Sequence, residues 1–147
     1  MDFISLLGKK LKDDEIIEIL EDNNLQTVYE FDRMHENMDD IYWVEAKNKG
    51  YVFRFNKDQI LDTIFLYIMK DMNINKIDIT EIEFTIYKKI DEARCDFIKM
   101  NINYQQGNVD QSIAYNQYWI KSIFPNYSIH YQYNNKKLSL ITIMKNV

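Results

Sequence analysis

The fold class is decided by one stretch near the end of the chain, Tyr127-Ser128-Ile129-His130-Tyr131-Gln132-Tyr133, followed by Asn134-Asn135-Lys136 and then by Leu138-Ser139-Leu140-Ile141-Thr142-Ile143-Met144. In its first half, tyrosine and isoleucine alternate with polar residues. This alternation predicts a strand with one buried face. The short polar link to a second apolar run predicts a tight antiparallel hairpin.

The same alternation recurs earlier in the chain, where Tyr51, Phe53 and Phe55 share one face of a predicted strand. Asn48-Lys49-Gly50 before it is typical of a hairpin turn. Other segments that read as strands are 26–31, 41–46, 60–68, 81–86 and 114–120.

Three segments predict helices instead. Residues 3–7 form a short one that ends at Gly8, and 14–22 form a second with Asp13 as N-cap. Apolar residues spaced by three and four predict a third over about 87–99. The expected fold is therefore α+β: a mostly antiparallel sheet built from hairpins, with two or three helices packed on one face, in a single domain over residues 1–147.

Composition excludes several functional classes. The chain has 147 residues, with 46% hydrophobic residues, 28% charged residues and a formal net charge of −5. That charge disfavours a nucleic-acid binder that relies on bulk positive charge. One cysteine excludes an internal disulfide and a cysteine-rich zinc site, and two histidines leave little for a metal centre. We expect no cofactor and no metal.

The first ten residues do not match a signal peptide, and no apolar run approaches 18 residues. These features predict a soluble cytoplasmic protein with no membrane partner.

Catalytic chemistry has little support in the sequence, which lacks the GxGxxG, P-loop, HExxH and GxSxG motifs. Cys95 is expected on the exposed side of its helix, and His130 on the polar face of its strand. His35 is expected in an acidic loop. We therefore expect no enzymatic activity, while an enzyme that uses Cys95 or His130 remains an alternative.

The charge is distributed unevenly along the chain. Residues 11–45 hold twelve acids and two bases, whereas residues 46–147 hold ten acids and fourteen bases. The acidic segment is either a solvated surface or a surface complementary to a basic partner. On the second interpretation, the predicted charge contacts are Asp32, Glu36, Asp39 and Asp40, with Tyr42 or Trp43 as the aromatic anchor, and Glu15, Glu18 and Asp22 as further contacts.

Three segments also carry a resemblance to a known family. They are the opening Leu6-Leu7-Gly8-Lys9, the hairpin strand 50–55 followed by 61–67, and the closing hairpin formed by 127–133 and 140–144. On these segments the chain resembles the small immunity proteins of bacterial polymorphic toxin and contact-dependent growth inhibition systems. The resemblance implies a cytosolic protein that binds and neutralises one cognate toxin domain, expected here to be a basic nuclease, without catalysis and without binding nucleic acid itself.

A ligand- or peptide-binding regulatory module is the alternative from a different class. It would use the concave side of the sheet and a pocket lined by inward-facing tyrosines. The sequence does not specify the oligomeric state.

Overall fold

The fold is seen in a computed structural model that describes residues 1–30, 39–108 and 116–146. The helices are α1 (Phe3–Leu6), α2 (Asp14–Asp22) and α3 (Ile90–Lys99), with a 3₁₀ helix at Ile79–Glu81. The strands are β1 (Thr27–Glu30), β2 (Ile41–Ala46), β3 (Tyr51–Phe55), β4 (Leu61–Tyr67), β5 (Asn103–Asn108), β6 (Gln117–Ile123), β7 (Tyr127–Asn134) and β8 (Lys137–Lys145).

The eight strands form one antiparallel sheet in the order β1-β2-β3-β4-β8-β7-β6-β5. Each half of the sheet is a run of sequential neighbours, and the two halves join where β4 pairs with β8. Ile64 lies opposite Ile143 and Leu66 opposite Ile141 at this junction, and all four side chains are fully buried. The outer edges of the sheet are β1 and β5.

The hairpin of β7 and β8 confirms the prediction made from the closing stretch. Asn134 pairs with Lys137, so the connecting loop contains Asn135 and Lys136 alone. Both loop residues have positive φ, 50° and 66°. Two positive φ values are the signature of the type I′ turn, whose twist matches that of the two strands it joins.

The helices lie on one face of the sheet, as the sequence predicts for an α+β fold. Phe3 of α1 contacts Tyr51 of β3 edge to face, with ring centroids 5.6 Å apart. Ile16 of α2 is fully buried in the same core, and Phe97 of α3 packs against Tyr131. The inward side chains of β2, β3, β4, β6, β7 and β8 complete this core.

The predicted strand at 81–86 is wrong. The chain there forms the 3₁₀ helix Ile79–Glu81 and then an irregular segment that crosses the helix-bearing face. Its carbonyls bond to tyrosine hydroxyls instead of to a neighbouring strand: Tyr131 Oη donates to Thr85 O at 3.0 Å and Tyr133 Oη to Tyr87 O at 2.7 Å. Helix α3 begins later than predicted, at Ile90, because Lys89 has an extended conformation.

The described residues include no helix with the length and apolar character needed to cross a bilayer.

Gly50 lies where two segments approach closely. Its φ is +83°, and a Cβ built on it would lie 2.6 Å from Ile77 Cα, against the backbone that follows β4. Gly8 has a similar φ of +87°, but the atom nearest to a Cβ built there is Lys145 Cε at 3.7 Å, an ordinary contact. Substituting each glycine by alanine therefore separates two contributions to the loss of stability, the strain of positive φ and the overlap with neighbouring backbone.

We expect Gly8→Ala to lower the free energy of unfolding by about 1 kcal/mol, since it incurs only the strain of positive φ. Gly50→Ala adds an overlap with immovable backbone and should lower it by roughly 2–5 kcal/mol. Urea unfolding of both variants measures the difference. Equal losses of unfolding free energy in the two variants would show that residues 75–77 do not lie in close contact with Gly50.

Candidate functional site

The acidic part of the chain lies at the β1 edge of the sheet. It comprises α2, which covers the core with Ile16, and the edge pair β1–β2. The carboxylates of Glu15, Glu18 and Asp22 on α2 are exposed. Two of the predicted contacts, Asp32 and Glu36, and also His35, lie outside the described residues.

Strand β2 sends the two predicted aromatic anchors to opposite faces of the sheet. Tyr42 lies on the helix-bearing side, where its ring stacks on Tyr29 with centroids 4.8 Å apart. Tyr29 Oη donates to Asp40 Oδ2 at 2.6 Å, and this hydrogen bond raises the pKa of Tyr29 to about 12. Tyr29, Tyr42 and Asp40 therefore form one connected group at the exposed edge. The sequence predicts Tyr42 and Asp40 as partner contacts but does not identify Tyr29.

A second group of acids lies at the end of the sheet where β3 turns into β4. Asp39 Oδ1 is 3.7 Å from Lys57 Nζ in that turn, and Glu15 Oε1 is 3.3 Å from Lys9 Nζ. Residues 8–11 hydrogen-bond to residues 59–61, which brings both pairs to the same end. All four side chains are well exposed, so these ion pairs contribute little to stability and exchange readily with solvent or a partner.

The opposite end of β2 carries a further group. Asp22 and Glu45 line a cavity of about 550 Å³ together with Lys47 and Lys49. Glu45 Oε2 lies 3.6 Å from Lys47 Nζ, again as an exposed pair. The predicted acids are thus brought to one side of the molecule but divided between its two ends. Among the described residues, neither Glu18 nor Asp22 is ion-paired.

Trp43, the other predicted anchor, faces the side of the sheet that carries no helix among the described residues. Its ring stacks on Phe65 of β4 with centroids 6.2 Å apart, above the buried Val52 of β3. These three residues line a groove of about 390 Å³, which we call the aromatic groove, together with Val28, Glu45, Tyr67 and Ile74. The feature of the sequence that could have predicted this groove is the apolar run in β4, which places apolar side chains on both faces of the sheet.

The two candidate catalytic residues are on opposite sides of the sheet. Cys95 is exposed on α3, which packs against the core face. His130 lies on the other face, stacked on Trp119 with ring centroids 5.2 Å apart. The thiol and the imidazole therefore cannot act as a nucleophile and base pair. The described residues contain no group of three or more His, Cys, Asp or Glu arranged to hold a metal ion.

The alternative hypothesis calls for a pocket lined by inward-facing tyrosines, and two of these tyrosines have hydroxyls that are already hydrogen-bonded. Tyr131 and Tyr133 are buried, and their hydroxyls bond to the backbone as described above. A cavity of about 470 Å³ beside α3 does include Tyr133, together with Ile90, Asp91, Tyr118 and the bases Lys89, Arg94 and Lys136. However, the Arg94 guanidinium is already bound by Asp91 at 2.6 Å and by Gln106 at 2.8 Å.

Comparison of the chain with protein-family models, with curated proteins and with solved structures found no match.

The environment of His130 determines how the stability of the fold changes with pH. Burial, and to a smaller degree the charge of Lys121, lower the pKa of His130 below its ordinary 6.5. Just below pH 6.5 the unfolded chain therefore binds more protons than the folded one, and stability falls as the pH falls.

We expect wild-type protein to lose more free energy of unfolding between pH 7.5 and pH 5.5 than His130→Gln does. Urea unfolding at the two pH values measures this. Identical losses in the two proteins would contradict the burial of the imidazole against Trp119.

Proposed function

We propose that this protein is a cytoplasmic immunity protein that binds and neutralises a toxin domain with a basic surface, a nuclease, without catalysis of its own. The observation that carries the proposal is the concentration of exposed carboxylates on the β1 side of the sheet, next to the exposed Tyr29 and the half-buried Tyr42 and Trp43. The three segments that resemble immunity proteins, 6–9, 50–55 followed by 61–67, and 127–133 with 140–144, support the same conclusion.

The carboxylates are available to a partner. Glu15 and Asp39 form exposed ion pairs with Lys9 and Lys57, and such pairs are typically worth about 0–1 kcal/mol. A basic partner can replace these lysines at small cost. The acidic surface also attracts a basic protein at a distance, which raises the association rate and rejects acidic partners.

A nuclease is the toxin class that best matches this surface. A protein that binds nucleic acid neutralises phosphates with lysine and arginine, so its substrate groove is cationic. An acidic protein that covers such a groove competes with the substrate through the same charges. Full desolvation of charge pairs requires tight geometry, and aromatic side chains such as Tyr29 supply the surrounding contact that excludes water.

Neighbouring genes provide the direct experiment. A toxin domain encoded immediately upstream should arrest growth when it is expressed alone, and co-expression of this chain should restore growth. The two proteins should also co-purify. An upstream product that neither binds this chain nor is inhibited by it would refute the proposal.

We expect Asp39→Lys/Asp40→Lys to slow association with that toxin domain by about tenfold at low salt, because it removes steering charge from the edge. Stopped-flow association rates at two salt concentrations measure the effect. The matched control is Glu81→Lys/Glu92→Lys, which changes net charge equally at exposed positions outside the acidic segment. Equal slowing by both variants would place the contact elsewhere.

A further inference from the structure

The helix-free face of the sheet has a concave feature that the acidic edge does not account for. The aromatic groove is walled by the stacked rings of Trp43 and Phe65 and floored by Val52, which is only 4% exposed. At about 390 Å³ it is near the lower end of the range for small-molecule pockets, roughly 300–1,000 Å³. It therefore has room for one or two side chains.

Two carboxylates, those of Glu45 and Asp71, lie near one end of this groove. Glu45 lies on its lining, and Tyr67, which also lines it, is close enough to Asp71 and Glu45 for both carboxylates to act on its hydroxyl. The pKa of Tyr67 is raised, first by burial and then by these two charges. The counter-charge of Glu45 is Lys47, an exposed pair at 3.6 Å that an incoming cation can displace.

Among the described residues, the guanidinium on this face does not neutralise the groove. Arg54 lies opposite Trp43 in the β2–β3 register, but its Nη1 is held by Asp62 at 3.4 Å. Glu45 and Asp71 thus remain as the carboxylates at the Tyr67 end of the groove.

The geometry points to a binding site for an arginine side chain of the partner, with the guanidinium against the rings of Trp43 and Phe65 and within reach of Glu45 and Asp71. An apolar wall and a carboxylate rim match the two properties of arginine, a planar cation that stacks on aromatic rings and a forked donor that pairs with carboxylates. This assignment rests on the proposed function, since a basic toxin domain is what would supply the side chain.

The site can be tested without the toxin, because the chain has only two tryptophans. Each gives one indole N–H resonance, and Trp43→Phe assigns the pair. Trp119, stacked on His130 and distant along the sheet from the groove, is the internal control. The probes are N-acetyl-arginine amide and N-acetyl-citrulline amide, which have nearly the same shape but differ in charge.

We expect the arginine probe to shift the Trp43 indole resonance along a saturating curve and to leave Trp119 unmoved. The citrulline probe should bind at least about threefold more weakly, since it lacks the cation. Glu45→Gln/Asp71→Asn should remove most of that preference, whereas the matched control Asp58→Asn/Glu92→Gln should retain it.

Equal affinities for the two probes, a preference that survives in Glu45→Gln/Asp71→Asn, or an equal shift of Trp119 would overturn the assignment. The titration contains no toxin domain, so its failure leaves the immunity proposal to be judged by growth rescue. A failed growth rescue, in turn, does not alter the titration.

Discussion

The pairing of β4 with β8 is the interaction on which the rest of the structure depends. In the described part of the chain it is the one strand pairing that joins the two meanders, and four of its side chains, on the helix-bearing face, are fully buried. The paired isoleucine and leucine residues belong to the same core as the buried side chains of α1, α2 and the segment that follows β4. The sheet spans roughly 34 Å from β1 to β5 at about 4.8 Å per strand. The acidic edge is therefore held far from the basic residues near β6 and β7.

Local elements were predictable from the sequence where one pattern dominates. The bounds of α2 and β2 agree with their predictions, as do the turn at Asn135 and Lys136 and the shared inward face of Tyr51, Phe53 and Phe55. In each case the alternation of side chains, or the conformational freedom of asparagine, acts within a few residues. The α+β class follows from the same local patterns.

The wrong strand prediction and the unpredicted contacts across the sheet have a non-local cause. Residues 81–86 alternate like a strand, yet no neighbouring strand among the described residues pairs with them. The hydroxyls of Tyr131 and Tyr133 on β7 instead donate to the carbonyls of Thr85 and Tyr87. The pairing of β4 with β8 leaves no trace in either segment alone. Alternation also shows that Tyr42 and Trp43 diverge, but only the packing of α2 and α3 decides which of them faces the helices.

The candidate site was predictable in part. Charge counting finds the acidic segment, and Asp39 and Glu15 do lie at one end of the sheet. Counting could not separate them from Asp22 and Glu45, because α2 carries Asp22, and β2 carries Glu45, to the other end of the sheet. Nor could it place Phe65 beside Trp43, since β3 lies between their strands.

The order of the strands in the sheet has a consequence for biosynthesis. About 70 residues separate the end of β4 from the start of β8, so the ribosome takes roughly 4–14 s to deliver the partner strand at 5–20 residues per second. Throughout that interval β4 is an unpaired edge that is apolar on both faces, the kind of strand that recruits other nascent chains. A chaperone that holds the emerging chain at the tunnel exit would therefore affect the yield of this protein more than its final stability.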